Sequence, residues 1–251
     1  MKKYICFTII ILFFGSCHLH RKAESSETSG IKADTITFSD QARNRKIPVA
    51  LYNPGSGNHE IVIFSHGYGQ NKGGDYLAYS YLTNFLASKG YFVASIQHEL
   101  PTDELIPSTG VPQIVRRPFW EWGADNILFV INQLKKNYPN LNFNKITLIG
   151  HSNGADMTAL FPQKYPNVVH KIITLDNRRM VFPRDNNLKI YTLRSSDQPA
   201  DDGVIPTGPD IKKSGITIIK LSDVKHDDMD DHANAEQRKE IQEYVLRFLN
   251  D

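Results

Sequence analysis

The chain has 251 residues, 40% of them apolar. That is enough to bury one sizeable core and too little for a polytopic membrane protein. Lys and Arg total 29 and Asp and Glu 27, so no basic domain or stripe points to a nucleic-acid partner.

The first residues call for a separate reading. Met1-Lys2-Lys3 is a short positive start, and Tyr4 to Phe14 is an apolar run. A run this short does not span a bilayer as a permanent helix. It reads as a signal peptide over residues 1–16. Phe14-Gly15-Ser16-Cys17 resembles a bacterial lipobox, in which the Cys becomes the lipidated first residue. The resemblance implies an exported lipoprotein, in the periplasm or at the cell surface, that meets the membrane only through an anchor at Cys17; an ordinary signal would make it secreted. Removal of residues 1–16 takes away Lys2 and Lys3, so the net charge of +2 falls to 0. It also removes Cys6, and lipidation occupies Cys17, the only other cysteine, so the mature domain has no thiol or disulfide chemistry. Residues 17–33 are polar and read as a flexible tether. Residues 34–251 form the folded domain.

Within that domain strands and helices alternate. Thr35 to Phe38 and Ile47 to Tyr52 read as two early strands, the second closed by Asn53-Pro54-Gly55. Continuous apolar runs follow at 61–64, 91–96, 146–149, 172–175, 190–193 and 216–219. Such runs suit strands buried on both faces of a parallel sheet. Leu82, Phe85 and Leu86 share one helix face, and Gly90 should end that helix. Ala124, Ile127, Leu128, Ile131 and Leu134 recur at helical spacing, as do Ile241, Val245, Phe248 and Leu249. The pattern predicts an α/β fold, a mostly parallel central sheet with helices on both faces and an antiparallel edge from the early strands.

The stretch Ile146 to Gly154 carries the chemistry. A buried strand runs into Gly150-His151-Ser152-Asn153-Gly154 and then a helix from Ala155 to about Tyr165. This strand–G-x-S-x-G–helix context marks the nucleophile elbow of the α/β-hydrolase fold, with Ser152 as nucleophile. Ser65-His66-Gly67-Tyr68-Gly69 ends strand 61–64 where such enzymes build their oxyanion hole. The expected donors are the backbone N–H groups of Tyr68 and Asn153, each worth about 3–4 kcal/mol of barrier. Serine needs a base to take its proton. The chain order nucleophile, acid, base places that base late, and His226 is preferred over His232. Asp176 and Asp197 each follow a strand, and spacing does not choose between them as the acid. Asp201 and Asp202 are weaker candidates. Asp227, Asp228, Asp230 and Asp231 raise a calcium site, but four carboxylates alone define no coordination geometry, and neither metal nor cofactor is expected.

Ile63 to Gly69, Leu86 to His98, Gly150 to Gly154 and Leu175-Asp176 with Met180-Val181-Phe182-Pro183 resemble the secreted-type platelet-activating factor acetylhydrolases. The likeness covers most of residues 60–230. It implies Asp176 as the acid and short or modified acyl esters, small or lipid, as substrates, cleaved without a metal. Two departures stand out. Asn177-Arg178-Arg179 replaces an aromatic-containing segment, and Asp197 sits where dienelactone hydrolases and cutinase-like esterases place their acid. The segment 98–119 is long enough to cover a site. Trp120 and Arg178 are the candidate substrate contacts, with Arg116, Arg117 and Arg179 nearby. Besides an esterase, the residues allow a peptidase or amidase on the same triad, or a silent hydrolase fold that binds a partner at the surface.

Overall fold

The computed structural model describes residues 33–184, 187–208 and 214–251, together with Met1, Ile31 and Ile211. The expected signal peptide apart from Met1, Cys17 and nearly all of the expected tether lie outside the described residues.

Eight strands form one sheet: β1 (Asp34–Asp40), β2 (Arg45–Tyr52), β3 (Glu60–Ser65), β4 (Phe92–Ile96), β5 (Asn142–His151), β6 (Lys171–Leu175), β7 (Lys189–Arg194) and β8 (Thr217–Lys220). Their order is β1-β2-β4-β3-β5-β6-β7-β8. β1 and β2 run antiparallel to their neighbours, and every pairing from β4 to β8 is parallel. The helices are α1 (Ser80–Ser88), α2 (Pro112–Val115), α3 (Arg117–Asn137), α4 (Ser152–Lys164) and α5 (Ala235–Asn250).

The two-residue period of β3 divides the core. Ile61 and Ile63 pack on one face with Trp120, Ile127 and Ile131 of α3 and Met157 and Leu160 of α4. Val62 and Phe64 point to the other face, against Leu82 and Leu86 of α1 and Ile241, Val245 and Phe248 of α5. These side chains are almost fully buried; each contributes about 1.5–3 kcal/mol by leaving water. Both faces of the central strands are therefore apolar, which is why they read as continuous runs rather than alternations.

Local chemistry fixes the helix ends. Asn234 and Gln237 form a reciprocal capping box at the start of α5. The Asp231 carboxylate, distant in sequence, accepts from the N–H groups of Ser80 and Tyr81 at the start of α1. Gly90 takes a φ of 93° just past α1, the left-handed position that helix ends favour. The elements differ from expectation mainly at their edges. α3 begins at Arg117, two turns before Ala124 where the expected periodic run starts, because Pro118 suits a helix start. The 98–119 segment holds the short α2, also begun by a proline. Among the described residues no helix is long and apolar enough to cross a membrane.

Candidate active site

β5 hands the chain directly to α4 at Ser152, whose φ is 51°. A non-glycine residue in this region costs about 1–3 kcal/mol and persists only where its surroundings hold it. The surroundings here are tight. A Cβ on Gly150 would lie 2.3 Å from the carbonyl oxygen of Gly154, and one on Gly154 would lie 2.3 Å from that of Ser65. α4 thus crosses the end of β3 at backbone contact, and only glycine fits. No side chain caps α4, so N–H groups of its first turn, Asn153 among them, lack the i−4 partner they would have deeper in the helix.

The loop after β3 lies against the same spot: a Cβ on Gly67 would be 3.4 Å from Ser152 Cβ. The N–H of Gly67 is taken by the Tyr79 hydroxyl at 2.9 Å. The N–H of Tyr68 has no hydrogen-bond partner among the described residues. Its own hydroxyl accepts from the N–H of Ile106 at 3.0 Å. Asn71 donates to the carbonyls of Asp103 and Glu104, and Arg45 pairs with Asp103 at 2.6 Å. The first half of the 98–119 segment is therefore tied to the body of the domain.

Ser152 Oγ lies 2.8 Å from His226 Nε2, and His226 Nδ1 lies 2.6 Å from Asp176 Oδ2. Asp176 is fully buried, with a φ of 60°. Burial alone would raise its pKa. The hydrogen bond from His226, the charge of Arg194 at 2.9 Å and two donors from Ser195 outweigh burial and hold it below the ordinary carboxylate value. These partners favour Asp176 as an anion beside the imidazole.

Asp197 is exposed and sits elsewhere. Its Oδ1 accepts from the backbone N–H of His226 at 2.8 Å, pinning the histidine loop without touching the ring. His232 points outward to Asp230 and makes no bond to Ser152.

Two expected substrate contacts have other surroundings. Trp120 is fully buried, and its indole N–H donates to Asn153 Oδ1 at 2.8 Å. It faces the core, so it holds Asn153 and presents no surface to a substrate. Glu99 completes the clamp by accepting from Asn153 Nδ2 at 2.9 Å. Arg178 is half-buried and donates through Nη1 to Gln198 at 2.6 Å.

Several partners carried no signal in the sequence. Asp156, Arg194, Ser195, Glu99 and Tyr79 meet the site only through tertiary packing. His151 sat inside the motif, but its role depends on residues far along the chain. Burial first, and then the charge of His226, drive its pKa down to about 3. The ring is therefore neutral. Its Nε2 is 3.1 Å from the carbonyl of His226, which can only accept, so Nε2 carries the hydrogen. Nδ1 then accepts from the Tyr79 hydroxyl at 2.7 Å, whose oxygen accepts from Gly67.

An unfolded histidine gains its proton near pH 6.5. Between that value and about 3 the unfolded chain binds a proton that folded His151 refuses. Stability is therefore lost as pH falls through this window, at up to about 1.4 kcal/mol per pH unit from this one group. His151→Gln is expected to flatten that part of the slope. Urea unfolding of both proteins at about pH 6.5, 5.5 and 4.5 checks this, and parallel slopes would refute it.

A cleft of about 500 Å³ opens over Ser152, lined by Gly67, Tyr68, Tyr79, His226 and the acidic rim residues Asp227 and Asp228. No family model matches the chain, and no curated protein does. Solved structures do. Esterase Est22 aligns with a TM-score of 0.65 at 11% identity, covering 88% of this chain and 82% of that one. XC6422 from Xanthomonas campestris, described as an α/β serine hydrolase without lid, gives 0.58 at 12% identity over 87% and 94%. An α-β serine hydrolase homologue from Coxiella burnetii gives 0.57 at 13% over 86% and 97%.

The chain has the α/β-hydrolase fold. At such identities the likeness concerns the fold alone. Within that fold the crossover order and the antiparallel β1–β2 edge put the ends of β3, β5, β6 and β8 on one rim, where the described groups gather.

Proposed function

We propose that the chain is a serine hydrolase of carboxylic esters, working through an acyl-enzyme on Ser152. The observation that carries this reading is the hydrogen-bonded line from Ser152 Oγ through His226 to buried, anionic Asp176, set on an elbow with positive φ. His226 Nε2 takes the Ser152 proton as Oγ attacks the ester carbonyl carbon. The carbonyl oxygen becomes negative and faces the N–H groups of Tyr68 and Asn153. Collapse expels the alcohol, which leaves with the proton from His226. Water then gives a proton to His226 as its oxygen attacks the acyl carbon, and collapse releases the acid while His226 returns that proton to Ser152 Oγ. Asp176 holds the imidazole in the needed tautomer and stabilises its cation.

Ser152 and His226 need no cofactor for these steps. The esterase names of the fold neighbours support an ester over an amide. The resemblance to platelet-activating factor acetylhydrolases extends the reading to short or modified acyl chains, on small or lipid esters. From the N-terminal residues we also propose export and anchoring through lipidated Cys17.

A fluorophosphonate probe tests the reaction directly, alongside hydrolysis of p-nitrophenyl acetate, butyrate and the matching anilides. The expected result is a label on the peptide containing Ser152, ester turnover well above anilide turnover, and loss of both label and turnover in Ser152→Ala. A folded wild-type protein that neither labels nor hydrolyses would point instead to a silent, ligand-binding fold. Faster anilide cleavage would make it an amidase.

A further inference from the structure

We propose that the acyl part of the substrate ends in an anionic group, a carboxylate, held by Arg116, Arg178 and Arg179. This rests on the esterase reading above and adds the substrate class.

Position is the first observation. Asp156 lies one turn beyond Ser152 on α4, about 6 Å along the axis. Its buried Oδ1 accepts from the N–H groups of Arg178, Arg179 and Met180 at 3.2, 2.9 and 2.9 Å. The backbone carrying both arginines is thus clamped to α4 one turn beyond Ser152. Arg116 is the N-cap residue just before α3, which packs along α4. Its Nε donates to the carbonyl of Pro107 at 3.1 Å. Burial first, and then the charge of Arg179, lower its pKa.

The second observation is that the cluster lacks a counterion. Neighbouring Arg117 pairs with Glu121, and Arg194 pairs with Asp176. None of Arg116, Arg178 and Arg179 forms an ion pair with a carboxylate among the described residues. Arg178 spends one donor on neutral Gln198. The Nε atoms of Arg178 and Arg179 are buried with no hydrogen-bond partner among those residues. The nearest carboxylate, Asp156, already serves three backbone donors, and burial pushes its pKa up. Three half-buried guanidinium groups around one carboxylate repel one another, and an incoming carboxylate would relieve this through bidentate hydrogen bonds.

The third observation sets the direction. The arginines belong to the sheet face covered by α3 and α4, where Met180 and Phe182 join the core. His226 stands on the same rim but toward the opposite face of the sheet, among Asp75, Asp227, Asp228 and Asp230, with Tyr79 and Met229 of the opposite core. The leaving alcohol must depart next to His226 Nε2, which protonates it, so it faces the acidic rim. The acyl chain then extends toward the arginines. A dicarboxylic half-ester, with an ester carbonyl at one end and a carboxylate at the other, is the simplest member of this class.

The test compares mono-4-nitrophenyl adipate with 4-nitrophenyl hexanoate, which differ in the terminal carboxylate at equal chain length. The wild type is expected to prefer the adipyl ester by about tenfold or more in kcat/KM. Raising salt from about 50 mM to about 500 mM should shrink that preference. Arg179→Gln and Arg116→Gln should each lower the adipyl-to-hexanoyl ratio by about tenfold, and Arg179→Lys should keep part of it. A wild-type ratio near one, or a ratio unmoved by both glutamine variants, would overturn the proposal. Calorimetric binding of free adipate to Ser152→Ala separates the two readings. If neither ester is hydrolysed but adipate binds and Arg179→Gln abolishes it, the anion site stands while the esterase reading falls. Absence of adipate binding overturns the anion site regardless of turnover.

Discussion

Replacing Asp176 with Asn is expected to lower kcat about 10⁴-fold, whereas replacing Asp197 with Asn should cost less than about tenfold. Asp176 accepts from His226 Nδ1 and from Ser195 twice, and pairs its charge with Arg194. An amide there turns an NH₂ toward the ring or loses acceptor capacity toward Ser195. The ring nitrogen facing it must then accept, Nε2 keeps its hydrogen, and Ser152 has no base. Asp197 takes one backbone N–H, and an Asn oxygen accepts it equally well. Steady-state kinetics on p-nitrophenyl butyrate, on samples shown to be folded by circular dichroism, compare the pair. Equal losses would mean that Asp176 does not serve His226 in the manner described.

Gly154→Ala is expected to lose about 3 kcal/mol of stability and about 10²-fold in kcat of the folded fraction. The added Cβ would stand 2.3 Å from the carbonyl oxygen of Ser65 and 2.4 Å from that of His66. Neither is a side-chain tip able to swing away. α4 must retreat from the end of β3, and the N–H of Asn153 moves relative to that of Tyr68. Gly203→Ala gives the contrast. Its φ is 78° but nothing lies within 4 Å of the added carbon, so it bears backbone strain of about 1–2 kcal/mol and leaves turnover intact. Urea unfolding with kinetics on both variants reads the difference. A Gly154→Ala protein as stable and active as the wild type would contradict the contact described at the elbow.

Much of this was legible in the residues because burial and turn chemistry are local. The runs at 61–64 and 146–149 announce strands covered on both faces, and Gly150 and Gly154 announce a turn with no room for a side chain. Chain order pointed to His226, whose ring meets Ser152 Oγ and Asp176. The choice between Asp176 and Asp197 did not follow from it, since both leave a strand on the same rim and only three-dimensional packing decides which oxygen meets the imidazole. Trp120 was misread for a related reason. An aromatic residue beside a polar segment looks available to a ligand, but helical phase turns it inward, where its one polar atom finds Asn153. Arg116 and Arg179 are 63 positions apart in sequence, and no pattern along the chain announces that α4 draws them together.

The chain of bonds from Gly67 through Tyr79 and His151 to the carbonyl of His226 joins the turn after β3, the elbow and the histidine loop. Local opening of any one of them breaks donors that the others depend on. Such a linkage makes the rim a single cooperative unit toward amide hydrogen exchange, in which the three segments become exposed together rather than one at a time.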